Sequence, residues 1–220
     1  MRKCKLCGYE ADNFKQVISR CRFNGEQLIR YQCPTCDVIF GNDRMLSLTP
    51  KEIEIEYTVK LKNYKVNTAV ATKYELEFFN IVGMQKGKQY INWGAGIWSN
   101  AVVTLQKQGY DIIGYDPYRK TKITSIAGKK FDYIMTHNVL EHFQDPVKEI
   151  IEMKKYLKPG GIMAHATACY TYCYEWTRYH LFFFCGRSVN TLCELCGIEE
   201  MKNREVKTAA GQHIKMFKLL

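Results

Sequence analysis

Four cysteines near the start of the chain have the residue type and spacing of a metal site. Cys4 and Cys7 form one Cys-x-x-Cys knuckle, and Cys33 and Cys36 form a second. Each knuckle can present two thiolates to one tetrahedral zinc ion, so two knuckles complete a closed shell of four sulfurs. A full shell leaves no open coordination position, and we therefore expect a structural Zn2+ and not a catalytic one. Four ordinary buried cysteines are the alternative.

A second group of residues that could do chemistry lies between His137 and His142. Neutral imidazole accepts a proton near pH 7, so His142 is the leading candidate for a general base and His137 is the second. Glu141 is the third candidate, with the role of orienting a hydroxyl. Structural roles stay open: His142 can cap or pack its loop, His137 can orient a cofactor, and Glu141 can satisfy backbone groups.

The elements around these residues form a β-α-β pattern. Phe131–Met135 is a short apolar run that predicts a buried parallel strand, and Ile162–Thr167 predicts a second strand. Between them Asp145 offers a helix N-cap, Pro146 suits the first helical position, and Pro159–Gly161 is expected to stop the helix. In a parallel sheet of this kind the ligand edge is the loop after the first strand.

A second strand-to-helix turn lies upstream. The strand Gln89–Trp93 is followed by Gly94–Gly96 and by a helix predicted over 97–108. Glycines let the backbone turn sharply and approach a ligand, while N–H groups at a helix start can bind a carboxylate. Asp116, after the strand Ile112–Tyr115, can accept hydrogen bonds from ribose hydroxyls. An ordinary strand-to-helix turn is the alternative for the glycines.

The run FDYIMTHNVLEHFQDPVKEIIEMKKYLKPGG, from Phe131 to Gly161, resembles the class I S-adenosylmethionine-dependent methyltransferases. The resemblance extends from about Gln89 to the C-terminus and implies an α/β fold, a Rossmann-like core of about seven mostly parallel strands, closed by Ile198–Val206 and His213–Leu219. It implies S-adenosyl-L-methionine as cofactor, with Asn138, Glu141 and His142 nearer the methyl group and substrate. The implied cofactor-binding residues are Asn92, Trp93, Gly94, Ala95, Gly96, Asp116, Pro117, Met135, Thr136 and His137.

The chain departs from this family pattern at three places. Asn92 stands where an acid is common, and Trp98 stands where a third glycine usually gives room. The segment 116–131 is also short, which predicts a vestigial third strand at Lys122–Ile126. No acid is placed to recognise the adenine amine, so backbone groups near Ile126 and Ala127 are expected to make that contact. Loss of cofactor binding therefore stays open.

The segment Gln27–Phe40 resembles the zinc ribbon that precedes the catalytic domain in many bacterial methyltransferases. Asp37 replaces the usual glycine, and Pro50–Tyr57 supplies the helix that follows. We therefore predict a zinc ribbon over residues 1–46, a helical connector over 47–85 and a Rossmann-like methyltransferase core over 86–220. Such two-part proteins resemble enzymes that modify sugars or other small molecules in surface-glycan pathways.

A third Cys-x-x-Cys, at Cys193 and Cys196, is assigned differently. It lies in an amphipathic pattern that ends at Gly197, which predicts a helix with a packing role. A second metal site is the alternative. Phe182–Phe184 is expected to pack beneath this helix, and Tyr179 and His180, just before it, are candidates to line the substrate mouth.

The chain of 220 residues has a formal charge of +10 and ten cysteines. One zinc held by four thiolates lowers that charge to about +8. The positive field favours an anionic small-molecule substrate, such as a nucleotide-sugar or phosphorylated metabolite, and also admits RNA. The lysines at 51, 60, 62 and 65 are read as a solvated helical face.

No signal-peptide pattern or long apolar segment is evident, which predicts a cytoplasmic protein without membrane partners. The paired knuckles favour reduced thiols over disulfides. The predicted function is methylation of a small molecule, possible substrates being nucleotide-linked sugars and other surface-glycan precursors. RNA methylation and a non-catalytic methyltransferase-like binding module are the alternatives, and the oligomeric state is not predicted.

Overall fold

The computed structural model describes residues 1–60, 68–96, 99–117, 126–172, 177–201 and 206–220. Trp98, Lys62, Lys65 and residues 122–125 of the predicted third strand lie outside these ranges. The chain divides into two compact units: unit 1 comprises Met1–Tyr64, Leu140–Ile151 and Ala168–Gly197, and unit 2 comprises Lys65–Val139, Glu152–Thr167 and Ile198–Leu220. Within the described ranges, no helix has the length and apolar character needed to span a membrane. The domain bounds at 46 and 85 stay a prediction.

The elements follow the chain in this order. The strands are β1 Arg2–Lys3, β2 Glu10–Ala11, β3 Lys15–Arg20, β4 Gln27–Gln32, β5 Ile39–Phe40, β6 Gln89–Trp93, β7 Asp111–Tyr115, β8 Phe131–His137, β9 Leu157–Thr167, β10 Phe182–Phe183, β11 Ile198–Glu200, β12 Val206–Lys207 and β13 His213–Leu219. The α-helices are α1 Asp43–Leu46, α2 Pro50–Ile55, α3 Thr68–Val82, α4 Asn100–Lys107, α5 Pro146–Lys154 and α6 Ser188–Cys196. A π-helical turn covers Glu56–Lys60, and 3-10 turns cover Leu140–His142 and Ala168–Tyr170.

Unit 2 contains a mixed sheet with the strand order β11-β13-β9-β8-β6-β7, in which β12 also pairs with β13. Strands β6, β7, β8 and β9 are mutually parallel, whereas β13 runs antiparallel to β9, β11 and β12. The described residues thus confirm the Rossmann-like α/β core of seven strands. Because β8 lies between β6 and β9, the carboxyl ends of these strands meet at one edge of the sheet.

The hydrophobic core of unit 2 packs helices α3 and α4 against this sheet. Phe78 and Phe79 of α3 are fully buried, and Ala101, Val102 and Leu105 give α4 an apolar face at helical spacing. These residues cluster with Met135 at the centre of β8. Each large apolar side chain buried in this way contributes about 1.5–3 kcal/mol, so the core holds the strand ends in register.

Unit 1 contains the cysteine knuckles and a second, smaller sheet with the order β10-β5-β4-β3. Its strands pair antiparallel, and β1 pairs with β2 beside the first knuckle. Gln144 joins the 140–151 segment to this unit, since its Nε2 donates hydrogen bonds to the carbonyls of Met45 at 2.8 Å and Leu48 at 3.0 Å. Residues far apart in sequence therefore build one compact body.

The helix α5 shows one correct and one wrong boundary prediction. Its start is confirmed, because Asp145 Oδ1 accepts a hydrogen bond from Lys148 N at 2.9 Å and Pro146 is the first helical residue. The prediction that Pro159–Gly161 stops the helix is wrong: α5 ends at Lys154, and these three residues lie within β9. Short-range bonds from Lys155 N to Glu152 O and from Tyr156 N to Met153 O tighten and close the last turn earlier.

The end of α6 is confirmed as predicted. Gly197 adopts a left-handed conformation, with φ of 59° and ψ of 53°, and its N–H bonds back to the carbonyl of Glu194. Cys196 is buried on this helix and Cys193 is half-buried. The two residues are parts of a packed helix, as the amphipathic pattern indicates.

Candidate functional site

The glycine turn and Asp116 come together at the carboxyl ends of β6 and β7. The N–H groups of Gly94 and Ala95 donate to Tyr115 O at 2.7 and 3.0 Å, and the N–H of Gly96 donates to Asp116 Oδ2 at 3.0 Å. Both glycines have positive φ, 81° at Gly94 and 70° at Gly96. The arrangement presents a glycine-bounded backbone turn and a carboxylate at the ligand edge of a parallel sheet.

The two glycines are required for different reasons. A Cβ at Gly94 would lie 2.6 Å from Val139 Cγ2, whereas a Cβ at Gly96 would meet nothing within 4 Å. Ala95 Cβ is likewise 3.2 Å from the position that a Cβ at Gly114 would take. Close packing leaves no room for a side chain at Gly94 and little at Gly114. At Gly96 there is room, and the positive φ is what favours glycine.

A carboxylate lies beside Asn92, although it comes from another part of the chain. Asn92 Nδ2 donates to Glu75 Oε1 at 2.5 Å, and Ser99 Oγ donates to Glu75 Oε2 at 3.0 Å. Ser99 Oγ also accepts from Val102 N at 3.1 Å and so caps α4. Burial raises the pKa of Glu75, while its hydrogen bonds from Asn92 and Ser99 lower it. Glu75 was missed from the sequence because it lies seventeen residues before Asn92, on α3.

The residues that end β8 have different surroundings. Met135 is fully buried in the core, and Thr136 Oγ1 lies 2.6 Å from His165 Nδ1. His137 is half-buried, stacks on Phe78 with ring centroids 5.8 Å apart, and contacts Gln212 Oε1 through Nε2 at 3.1 Å. Since that amide oxygen accepts, Nε2 is assigned the proton. Burial lowers the pKa of His137, which favours neutral imidazole.

Trp93 and Pro117 flank the turn. Trp93 is 2% exposed, and its ring lies 4.5 Å from that of Tyr115 between centroids. Its Nε1 is buried and has no hydrogen-bond partner within the part of the chain that the structure describes. Pro117 follows Asp116 in an exposed turn. Trp93 therefore packs within the sheet edge, whereas Pro117 is exposed next to the half-buried Asp116.

Glu141 and His142 belong to unit 1, where they lie on the 3-10 turn Leu140–His142. Glu141 is 1% exposed, and its carbonyl accepts from Leu181 N at 2.7 Å. His142 Nδ1 lies 2.8 Å from the carbonyl of Tyr179, which assigns the proton to Nδ1 and the lone pair to Nε2. His180 joins them: the potential ligand atoms of Glu141, His142 and His180 all lie within 4.8 Å of one another.

The four cysteines of the knuckles form one cluster in unit 1. Cys4 Sγ lies 3.7 Å from Cys36 Sγ, and Cys7 Sγ lies 3.7 Å from Cys33 Sγ. A tetrahedron of sulfurs around zinc, with bonds of about 2.3 Å, has edges of about 3.8 Å. The N–H groups of Leu6 and Cys7 point at Cys4 Sγ, at 3.4 and 3.5 Å, as they would toward a thiolate. The cluster has the dimensions of a structural zinc site.

Asp37 occupies a position where the resemblance pattern has glycine. It adopts φ of 64°, a left-handed conformation that costs a non-glycine residue energy. Its carboxylate pairs with Arg187, through Nε at 2.8 Å and Nη2 at 3.1 Å, and this pairing lowers the pKa of Asp37. Arg187 Nη2 also donates to Pro34 O at 3.0 Å. The aspartate thus ties the second knuckle to the start of α6.

Comparison with known proteins agrees with the Rossmann-like fold of the core. A family model described as a methyltransferase domain matches residues 86–217, which is more than half of the chain. Over 67 residues the chain is 41% identical to the ubiquinone biosynthesis O-methyltransferase of Caulobacter vibrioides, a match that covers 30% of this chain and 26% of that protein. The chain thus matches only about a quarter of the length of that curated relative.

Solved structures of methyltransferases share the fold. Magnesium protoporphyrin IX methyltransferase from Synechocystis PCC 6803, with bound SAH, superposes with a TM-score of 0.55 and 11% identity over 78% of this chain and 100% of that chain. CalO1, a methyltransferase in calicheamicin biosynthesis, superposes with a TM-score of 0.54 and 10% identity over 78% of this chain and 61% of that one. At these identities the likeness is one of fold.

Proposed function

Because this chain belongs to the methyltransferase domain family, we propose that it transfers a methyl group from S-adenosylmethionine to a small molecule. The observation that carries the proposal is the convergence of Gly94–Gly96 with Asp116 at the carboxyl ends of β6 and β7. Ligands of open α/β sheets bind at this edge. A positively charged sulfonium makes the methyl group electrophilic, so the cofactor supplies the reactive group and the protein supplies binding and alignment.

Asp116 is proposed to hold the ribose of the cofactor. A carboxylate has about four lone-pair sites, so the N–H bond that Asp116 accepts from Gly96 does not exhaust its capacity to accept hydrogen bonds. A carboxylate at this strand end suits a pair of vicinal hydroxyls. The backbone turn at Gly94–Gly96 and the N-terminal end of α4 suit the carboxylate of the methionine part. Glu75 and Ser99 are proposed as positioning residues, because their hydrogen bond braces Asn92 and the cap of α4.

Loss of a proton from the acceptor is proposed to depend on Glu141 and His142. The hydrogen bond from His142 Nδ1 to the carbonyl of Tyr179 leaves a lone pair on Nε2. That lone pair can take a proton directly or bind an electrophile that acidifies the acceptor. His137, whose Nε2 contacts Gln212, is proposed as a cofactor-orienting residue and not as the base.

The substrate is proposed to be anionic, with nucleotide-linked sugars and other surface-glycan precursors as the first class to test. The formal charge of +10 supports an anionic ligand, and the resemblance of the knuckle segment to a methyltransferase ribbon supports a small-molecule acceptor. The Caulobacter relative is an O-methyltransferase, which favours an oxygen acceptor for this chain as well. Incubation with such a library, with detection of a one-methyl mass gain, tests this class, and transfer to total RNA instead would favour the RNA alternative.

Calorimetric titration with S-adenosylmethionine and S-adenosylhomocysteine tests cofactor binding. We expect saturable binding by the unaltered chain and binding about tenfold weaker or worse for Asp116→Ala, because hydrogen bonds to a charged group contribute about 1.5–3 kcal/mol. Asp111→Ala is the matched control, since Asp111 begins the same strand that Asp116 follows. No binding at millimolar cofactor would contradict the proposed enzyme and favour a non-catalytic module.

A further inference from the structure

Three side chains of unit 1 form a cluster that the cysteine knuckles do not include. Glu141, His142 and His180 offer one carboxylate oxygen and two imidazole nitrogens, all within 4.8 Å of one another. Glu141 is 1% exposed, and the two histidine rings meet edge to face with centroids 5.0 Å apart. A buried carboxylate beside two imidazole rings is a donor set that metal sites use, so this combination points to a ligand.

Polar contacts orient both histidine rings of the cluster. His142 Nδ1 donates to the carbonyl of Tyr179 at 2.8 Å, which directs the lone pair of Nε2 away from that bond. His180 Nδ1 lies 3.4 Å from Cys169 Sγ. Metal-binding histidines usually make such a second bond through the ring nitrogen that does not bind the metal, which fixes tautomer and orientation.

The backbone that carries the cluster is also held in place. Leu181 N donates to Glu141 O at 2.7 Å and so joins the two segments that supply the ligands. The buried guanidinium of Arg30 reaches from β4 to the same turn, with Nη2 at 2.5 Å from Thr177 O and 3.1 Å from His180 O. The cluster therefore belongs to a braced turn, as a preorganised site requires.

We propose that Glu141, His142 and His180 bind a divalent transition-metal cation. Two imidazoles and one carboxylate suit zinc, cobalt, iron or manganese in the divalent state and leave coordination positions open for a further ligand. Bonds of about 2.1 Å place neighbouring ligand atoms about 3.0–3.5 Å apart. The ligand atoms, which lie within 4.8 Å of one another, need to draw in by no more than about 1.8 Å, which small side-chain rotations supply.

In this arrangement His142 would hold the cation through Nε2, because its Nδ1 donates to the carbonyl of Tyr179. A cation with open coordination positions would take a further oxygen or nitrogen ligand and would lower the pKa of a hydroxyl or water bound to it.

Metal counting tests the site independently of activity. The chain is produced in zinc-depleted medium that contains Co2+, so that cobalt also fills the cysteine cluster. It is then dialysed, and its cobalt and zinc contents are measured by elemental analysis. We expect two cobalt ions per chain in the unaltered protein and one in His180→Ala and in Glu141→Gln. The thiolate-to-cobalt charge-transfer band of the cysteine cluster should persist in both variants, which also shows that unit 1 is folded around its knuckles. His213→Ala, on β13 of unit 2, is the control and should retain both ions.

The inference is overturned by one cobalt per chain in the unaltered protein, or by two ions in both variants. Failure of the proposed function gives a different result: calorimetry then detects no cofactor binding, while the second cobalt ion is still present.

Discussion

Glu75 supplies the sheet edge with a carboxylate that no residue of β6 provides. Its two oxygens accept hydrogen bonds from Asn92 and Ser99, and Ser99 in turn caps α4. We expect Glu75→Ala to weaken binding of S-adenosylmethionine by about tenfold, because the buried Asn92 and the half-buried Ser99 lose their acceptor and the helix start loosens. Calorimetric titration measures the change.

Lys73→Ala is the control for that variant, since Lys73 is an exposed residue on the same helix α3. Glu75→Gln should keep part of the affinity, because its amide oxygen can still accept from Asn92. Equal cofactor affinity in Glu75→Ala and in Lys73→Ala would show that the carboxylate plays no part in positioning.

His165 predicts a pH dependence of stability. It is fully buried beside Thr136 and Phe217, and burial lowers its pKa from 6.5 to about 4. The folded state therefore keeps His165 neutral while the unfolded state takes up a proton as the pH falls. The contribution of His165 to the free energy of unfolding is fully present above about pH 6.5. It is lost as the pH falls from about 6.5 to 4, and the total loss is on the order of 3 kcal/mol.

The test uses the variant His165→Asn, which keeps a polar group near Thr136 but has no titrating ring. Its stability is compared with that of the unaltered chain. Urea unfolding at a series of pH values gives the difference between the two proteins, so effects common to both, such as loss of thiolate-bound zinc in acid, cancel. We expect that difference to shrink as the pH falls from 6.5 to 4. A difference that is constant with pH would contradict the assignment.

The role of a residue could be predicted from the sequence where a local rule applied. It could not be predicted where the role depends on a contact with a residue distant in sequence. Gly94 and Asp116 follow predicted strands directly, so their place at the sheet edge could be derived from the pattern. Glu75 and Arg187 act on residues 17 and 150 positions away, respectively. Neither pairing leaves a local signal, because each depends on which helix packs against which strand.

The turn between β6 and α4 offers a matched pair of substitutions. Gly94 and Gly96 both have positive φ, but only Gly94 faces Val139, whose Cγ2 would lie 2.6 Å from a Cβ added at that glycine. We expect Gly94→Ala to cost about 2–4 kcal/mol of stability and Gly96→Ala about 1 kcal/mol, since the second lacks the steric clash. Thermal unfolding of both variants measures the difference. Equal losses would show that backbone conformation alone determines the cost.

The strand β4 carries Arg30, whose side chain is fully buried. It donates to Ser19 Oγ at 3.0 Å as well as to the carbonyls of Thr177 and His180. Burial lowers its pKa from the usual value, yet the guanidinium stays charged at neutral pH because arginine titrates far above it. Arg30→Met should lower the free energy of unfolding of unit 1 by about 2–4 kcal/mol, because two carbonyls lose a charged donor.

Urea unfolding measures that loss, with Arg22→Met as the control at an exposed position near the same hairpin. Cobalt counting adds a second readout, since the turn that carries His180 loses its brace while its ligands are unchanged. Stability equal to that of Arg22→Met would show that the remaining bonds of the turn suffice.

The bounds of helices and strands were predicted best where the apolar pattern and the flanking residues indicate the same bounds. The apolar run Gln89–Trp93 matches β6 at both ends, and Gly197 ends α6 as its pattern indicates. The end of α5 was wrong because Pro159 and the two glycines, which read as helix breakers, lie inside β9. Gly160 with φ of 72° and Gly161, packed against Leu157, serve an irregular strand start instead.

At the scale of the whole molecule, the fold class could be predicted and the composition of the compact units could not. The strands β6 to β9 carry the apolar runs of a buried parallel sheet, and the cysteine spacing indicates its own cluster. Unit 1, however, gathers residues 140–151 and 168–197 around the knuckles through bonds such as those of Gln144 and Arg30. Those contacts join residues about 100 to 150 positions apart and follow no periodic pattern in the sequence.

Loss of the zinc shell is therefore expected to affect more than the first 46 residues. In Cys36→Ser one thiolate is removed, Zn2+ binding weakens, and the knuckles lose the closed shell that holds them. Because β3, β4 and the 168–197 segment share unit 1 with the knuckles, their amides should lose protection from hydrogen exchange together. Strands β8 and β9 bond within their own sheet and serve as the internal reference.

Cys193→Ser, on the half-buried face of α6, is the matched control and should retain both zinc and protection. Loss of protection confined to β1 and β2 would contradict a shared cooperative unit.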